Sequence, residues 1–146
     1  VIHQFQGDAV LATFNLPIED PEHAANAVRA ASKIQQVLSV GSFLVEGREL
    51  ELHTRVGINT GLIVGGTVGS MSRVGYTVHG DDVNLAARIE QLNKQFGISI
   101  LVSGATRDAA LEAAIFEPVG GNVRGRDQPV SLHRFSGLRH NSDQLP

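Results

Sequence analysis

Cysteine is absent from the 146-residue sequence, and its absence excludes several classes of protein at once. Without cysteine the chain can form no disulfide framework, no thiolate zinc site and no cysteine nucleophile. The six histidines are scattered along the sequence without the short, regular spacing that zinc ligands usually have. The sequence therefore predicts neither a disulfide-stabilised protein nor a zinc protein.

Long apolar runs, aromatic residues and an excess of basic charge are also lacking. No apolar segment approaches the roughly 20 residues that cross a bilayer, and no secretory signal is present, so a cytoplasmic domain is expected, free or in a membrane-anchored protein. A net charge of -3 and an aromatic content of 5% argue against a nucleic-acid-binding surface. The length and the 42% hydrophobic content fit one globular domain.

The pattern of hydrophobic residues predicts an α+β fold, in which strands and helices alternate but hairpins interrupt the alternation. The predicted elements are, in chain order, two extended segments around a bend at 6–8, a helix over 20–40, strands over 51–58, 62–64 and 73–78, a helix over 81–96, a strand over 98–102, a short helix over 103–114, and strands over 116–119 and 130–135. This order predicts a mixed sheet with helices mainly on one face, not a doubly wound parallel sheet.

Turn residues predict two reversals in the middle of the chain. Asn59-Thr60-Gly61 is expected to turn strand 51–58 back into strand 62–64 as a hairpin. The glycine-rich run 65–70 lacks the Gly-Lys-Ser/Thr ending of a P-loop, so it is interpreted as hairpin geometry and not as a phosphate cradle.

Asn84 and Arg88 form a polar pair near the start of the second long helix. Residues four apart are neighbours on a helix surface, so the amide and the guanidinium project side by side. A neutral amide beside a permanent cation with several donors suits a ribose or phosphoryl centre. Taken alone, however, the pair is better explained as a solvated stripe on an amphipathic helix.

Three segments in order change that interpretation: 5–14 (FQGDAVLATF), 55–61 (RVGINTG) and 76–90 (YTVHGDDVNLAARIE). Together they resemble the catalytic domain of class III nucleotidyl cyclases, the adenylate and guanylate cyclases. The resemblance continues through 100–103 and the turn at 123–126, and so covers nearly the whole chain. It implies a ferredoxin-like α+β fold and a head-to-tail homodimer with nucleotide sites at the interface. It also implies attack of a ribose 3′-hydroxyl on the α-phosphate, assisted by two divalent metal ions, Mg or Mn.

The resemblance assigns roles to individual residues. Asp8 matches the second of the family's two metal-binding aspartates, although an Asx-turn residue is the ordinary explanation for an Asp after Gly7. Asn84 and Arg88 match the pair that orients the ribose and holds the α-phosphate. Arg124 falls where the family commonly places a lysine for the terminal phosphates; a loop cation is the alternative.

Gln4 and Thr77 fall where the family recognises the purine. Adenylate cyclases commonly carry Lys at the first position and Asp or Thr at the second, whereas guanylate cyclases tend to carry Glu and a small residue. Thr77 fits the adenine pattern and Gln4 departs from both. Since a Gln amide both donates and accepts, it could serve either base. ATP is the predicted substrate, with GTP or relaxed specificity as the alternative.

The chain begins at Val1 without an initiator Met, and no residue matches the family's first metal aspartate. The sequence is therefore expected to be a fragment. Residues 1–136 form the cyclase domain without its first strand and helix, and residues 137–146 form a polar tail. We expect half a metal site and almost no activity from this exact fragment, with a sensor or regulatory domain upstream in the parent protein. A non-catalytic nucleotide-binding module of the same fold remains an alternative.

Overall fold

The computed structural model describes residues 1–70, 73–124 and 128–140, with the backbone alone at 4–6, 68–70, 73–77, 122 and 124. The described helices and strands are β1 (Ile2–Gln6), β2 (Ala9–Ala12), α1 (His23–Leu38), β3 (Phe43–Val45), β4 (Arg48–Leu50), β5 (Val56–Ile58), β6 (Val64–Ser70), β7 (Arg73–His79), α2 (Asp81–Phe96), β8 (Ile100–Ser103), α3 (Gly104–Ala109), β9 (Ala114–Arg124) and β10 (Pro129–Leu138).

A four-stranded sheet in the order β5-β8-β10-β9 forms the centre of the fold. Strand β5 runs parallel to β8, whereas β10 pairs antiparallel with both β8 and β9. The predicted mixed sheet is therefore confirmed. The other described strands pair as three antiparallel hairpins, β1–β2, β3–β4 and β6–β7.

Strand β8 separates two hydrophobic clusters because its side chains alternate between the faces of the sheet. Ile100 and Val102 pack in a cluster with α1 and with the residues that follow α3. Leu101, between them, packs on the opposite face with Leu85 and Ile89 of α2. Two of the three described helices thus lie on one face and α2 lies on the other, in keeping with the predicted "mainly on one face" arrangement.

The helix ends follow capping chemistry with small shifts from prediction. Helix α1 begins at His23, not at Asp20, because the Asp20 carboxylate accepts from Glu22 N (2.9 Å) and Asn26 Nδ2 (2.9 Å) in the turn before the helix. Helix α2 ends at Gly97, whose φ of 65° suits glycine, as predicted. Ser103 caps α3 by accepting from Thr106 N, but α3 ends at Ala109, well before the predicted 114.

Of the two reversals predicted in the middle of the chain, the hairpin at 59–61 is wrong, whereas the hairpin geometry of the glycine-rich run is confirmed. Strand β5 pairs with β8 and not with 62–64, so residues 59–61 lead out of the sheet instead of closing a hairpin. The glycine-rich run 65–70 is itself most of strand β6, which pairs with β7 from Val64↔His79 to Ser70↔Arg73. At 59–61, turn-forming residues gave a false signal because local composition does not specify a strand's partner.

The C-terminal strand is longer than predicted. Strand β10 continues to Leu138, two residues past the expected boundary at 136, and residues 141–146 of the predicted tail lie outside the described residues. None of the described helices combines the length and the hydrophobicity required to cross a bilayer.

Candidate active site

Helix α2 presents Asn84 and Arg88 on its exposed side, one turn apart. Each lies directly before a residue of the buried stripe: Leu85 is 5% exposed and Ile89 is fully buried. The pair therefore stands at the margin of the helix face that packs on the sheet. Within the described part of the chain, neither side chain makes a hydrogen bond or ion pair. An amide and a guanidinium held without protein partners are available to a ligand.

Arg55, Gly57 and Asn59 contact α2 from strand β5 and the residues on either side of it. Asn59 Nδ2 donates to the backbone oxygen of Asp82 (3.0 Å) and to its carboxylate (2.9 Å) at the N-terminal end. In the middle, a Cβ on Gly57 would lie 2.8 Å from Ala86 O, so only glycine fits there. Farther along, Arg55 Nε donates to Glu90 Oε1 at 3.1 Å.

Asn93 anchors the C-terminal end of α2. It is 1% exposed, and its Nδ2 donates to Val56 O (3.0 Å) and Ser99 O (2.9 Å), linking the helix to β5 and to the start of β8. Its Oδ1 has no partner among the described residues. The sequence analysis missed Asn93, because a polar residue on the apolar side of a helix gives no pattern of its own.

Asp8 lies in the turn of the β1–β2 hairpin and is exposed to solvent. Gly7 before it has φ of 61°, which accounts for the glycine at the bend. The hairpin base is closed by the N-terminal amine of Val1 on Thr13 O (2.6 Å) and by the ring of His3 on the Thr13 hydroxyl. The described residues contain no group of three His, Asp or Glu side chains that could hold a metal ion.

The two base-recognition candidates lie on strands that contact each other. Gln4 is in β1 and Thr77 in β7, and these strands pack together although they belong to different hairpins. Arg124 is the last residue of β9 and pairs with Pro129 across the β9–β10 hairpin. The side chains of all three, and residues 125–127 of the predicted turn, lie outside the described residues.

The chain is thus an α+β domain with an exposed amide–guanidinium pair on the helix that packs across its mixed sheet. Residues 4–129 match the adenylate and guanylate cyclase catalytic domain, and the chain belongs to that family. Cyclase domains of this family generally act with divalent metal ions. The resemblance stated from the three sequence segments is therefore confirmed.

Related proteins and solved structures agree with this assignment. The chain is 37% identical over 139 residues to adenylate cyclase 1 of Rhizobium meliloti; the match covers 94% of the chain but only 21% of that protein. The guanylyl cyclase Cya2 is 29% identical with a TM-score of 0.68, covering 98% of this chain and 73% of that one. The guanylate cyclase domain of RhGC from Catenaria anguillulae, solved with GTP, is 21% identical with a TM-score of 0.76, covering 94% and 74%. The α+β cyclase fold is thereby established.

Proposed function

We propose that the natural protein converts ATP into 3′,5′-cyclic AMP and pyrophosphate in intracellular signalling. The observation that carries the proposal is the exposed pair Asn84 and Arg88, unpartnered among the described residues, in a chain of the cyclase family. A relative named adenylate cyclase covers 94% of the chain at 37% identity and supports the reaction.

Asn84 and Arg88 are proposed to bind different parts of the nucleotide because their side chains differ in charge and hydrogen-bonding groups. The Asn84 amide has both a donor and an acceptor, which suits the ribose and keeps its 3′-hydroxyl directed at the α-phosphorus. The Arg88 guanidinium is always charged and binds the α-phosphate oxygens, where negative charge grows as the new P–O bond forms and the bond to pyrophosphate breaks. Arg124 would neutralise the terminal phosphates in the same way.

Two divalent metal ions, Mg or Mn, belong to the proposal, but the described residues supply only part of their site. Asp8 is an exposed carboxylate of the kind that hard cations prefer, and it would bind metal by one or both oxygens. Among the described residues, Asp8 belongs to no group of three side chains that could hold a metal ion, so Asp8 alone does not complete the site. When bound, the metals would lower the pKa of the 3′-hydroxyl and offset phosphate charge.

Gln4 and Thr77 are proposed to recognise the base. The contact between β1 and β7 supports this, because it brings their two strands to one place. Thr77 and the relative named adenylate cyclase favour adenine. The relative named guanylyl cyclase, at 29% identity, leaves GTP as the alternative substrate.

A head-to-tail homodimer would complete each site, with Asp8 from one chain and the remaining site residues from the other. Leu62 is 88% exposed and Val64 is 69% exposed, and the Leu62 backbone lies next to Gly80 at the start of α2. Two exposed apolar side chains near the start of α2 suit a surface that a second copy covers. A cytoplasmic location and a sensor or regulatory domain elsewhere in the natural protein are also proposed.

The test is turnover of the intact protein with ATP and GTP in parallel, in Mg²⁺ and in Mn²⁺. Asn84→Ala and Arg88→Ala should each lower kcat by roughly 10²–10³ while the melting temperature stays unchanged. Lys94→Ala, an exposed cation on the same helix, is the matched control. Activity per chain should fall on dilution as dimers dissociate.

A non-catalytic nucleotide-binding module is the second candidate, because the described residues lack a complete metal site. It predicts ATP binding without product in either metal. Equal loss of stability and turnover in Asn84→Ala would instead show that this residue is structural.

A further inference from the structure

We propose that Asn59 is a positioning residue whose bond to Asp82 sets where α2 presents Asn84 and Arg88. This proposal rests on the proposed function for its kinetic consequence, but its structural part can be tested separately. Asn59 belongs to segment 55–61, which matched the cyclase pattern without any role being assigned to it.

The side chains of segment 55–61 alternate between two helical neighbours. Every odd position meets α2: Arg55 pairs with Glu90, Gly57 touches the helix backbone, and Asn59 bonds Asp82, while Gly61 leaves room for the same Asp82 carboxylate. This is the period of two expected of extended chain, and it continues past the end of β5.

The even positions face the other side of the sheet. Val56 and Ile58 pack in the cluster with α1, and the Thr60 hydroxyl bonds the buried Thr106 hydroxyl of α3 at 2.8 Å. Thr106 Oγ1 also lies 3.4 Å from Ile58 O. These contacts of the even positions hold the segment on the side away from α2, so its odd positions form a well-supported surface for the helix.

The helix residues that meet this surface lie on the side of α2 opposite the catalytic pair. They are Asp82, Ala86, Glu90 and Asn93. At about 100° per residue, their mean direction is roughly half a turn from that of Asn84 and Arg88. Any rotation or slide of α2 along β5 therefore moves the pair with it.

Asn59 is the contact at the N-terminal end of α2, in the turn that leads into Asn84. Its amide bonds both the backbone and the carboxylate of Asp82, only two residues before Asn84. Asn93 holds the far end of α2, and the Arg55–Glu90 pair beyond Arg88 is 48% and 37% exposed. Gly57 lets the helix approach β5 closely but does not fix its register. Asn59 thus fixes the register of the first turn, where a displacement of about 1 Å would cost up to a hundredfold in rate.

Exchanging the amide of Asn59 with the carboxylate of Asp82 tests the proposal. Asn59→Asp places a carboxylate beside Asp82, and we expect kcat of the intact protein to fall between roughly ten- and hundredfold with a smaller change in KM. In Asn59→Asp/Asp82→Asn, the new amide can donate to the new carboxylate, but a carboxylate at position 59 cannot donate to the backbone oxygen of residue 82. Part of kcat should therefore return. Asn26→Asp is the matched control, because Asn26 Nδ2 bonds the Asp20 carboxylate at 2.9 Å in an equivalent pair on α1. It should leave kcat unchanged.

Label distances provide the structural readout. Residues 1–146 contain no cysteine, so spin labels are placed at introduced Ala87→Cys on α2 and Glu112→Cys after α3, both exposed. Asn59→Asp should shift or broaden the distance distribution, and the exchange should restore it, while Asn26→Asp should not alter it.

Three results would overturn the proposal: loss of turnover with unchanged distances, shifted distances with full turnover, or no recovery in the exchange variant. If the unaltered protein forms no cyclic nucleotide, the proposed function fails. The label distances then decide alone whether Asn59 positions α2.

Discussion

Helix α2 and the β1–β2 hairpin carry the two parts of the proposed site, and they are attached to the fold in different ways. Helix α2 buries Leu85 and Ile89 against the central sheet and is bonded to β5 along its length. The hairpin pairs within itself and contacts β7, while Val10 remains 54% exposed. Asn84 and Arg88 thus have a well-packed support, whereas Asp8 depends on a less buried element.

Truncation of buried and exposed apolar side chains should give the largest difference between the two regions. Ile89→Ala removes a fully buried side chain and should lower the free energy of unfolding by about 2–5 kcal/mol. Val10→Ala, in the hairpin, should change it by less than about 0.5 kcal/mol. Urea denaturation measures both, and comparable losses would show that the hairpin is as firmly packed as α2.

A methyl group on Gly57 should have the next largest effect. Its Cβ would lie 2.8 Å from both Ala86 O and Glu90 Cα, and backbone atoms cannot move aside as a side chain can. Gly57→Ala should lower the free energy of unfolding by about 1–3 kcal/mol. Gly66→Ala, where nothing lies within 4 Å, should be nearly neutral. If thermal unfolding shows the two variants to be alike, close packing of α2 on β5 is refuted.

Removing the ion pair that links β5 to α2 should have a small, salt-dependent effect. Arg55 and Glu90 are 3.1 Å apart but their side chains are 48% and 37% exposed, so Arg55→Ala should cost about 0.2–1 kcal/mol. The loss should shrink in 1 M NaCl because salt screens exposed charges. A loss that is independent of salt would mean that Arg55 acts through packing of its stem. Arg107→Ala, in a pair remote from α2, is the control.

The smallest effect on stability is expected from the titration of His133, which lies in the central sheet and not in the hairpin. Burial, followed by the positive charge of Arg107, lowers the pKa of His133 below 6.5, against an opposing effect of Asp108. As the pH falls from 6.5, the unfolded chain therefore takes up the proton first, and stability decreases until the lower folded-state value is passed. Above 6.5 this contribution to stability should not vary with pH.

Unfolding measured between pH 5 and about 8 tests this dependence. His133→Gln should flatten the acid side of the profile, whereas His53→Gln, at an 87% exposed side chain, should leave it unchanged. An unaltered slope in His133→Gln would assign the acid sensitivity to other groups.

Prediction from sequence succeeded where the pattern is local and periodic. The apolar stripe of α2 and its stop at Gly97 needed only helical spacing and a residue tolerant of positive φ. It failed at 59–61, where turn-forming residues suggested a hairpin. Asn59 and Gly61 are present for contacts with Asp82, twenty or more positions away in the chain. Asn93 was missed for the same reason, since its partners are backbone carbonyls of β5 and of the residue before β8.

The amino-acid sequence by itself determined the cyclase family, the mixed α+β architecture and the pairing of Asn84 with Arg88, because motif order and helical spacing are properties of the chain. Only the tertiary structure decided which strand lies beside β5, which side of α2 faces it, and that the pair points away from it. Those facts depend on hydrogen bonds and close contacts between distant segments, and a one-dimensional pattern does not encode them. The position of Asn84 and Arg88 is therefore a property of how α2 packs on β5.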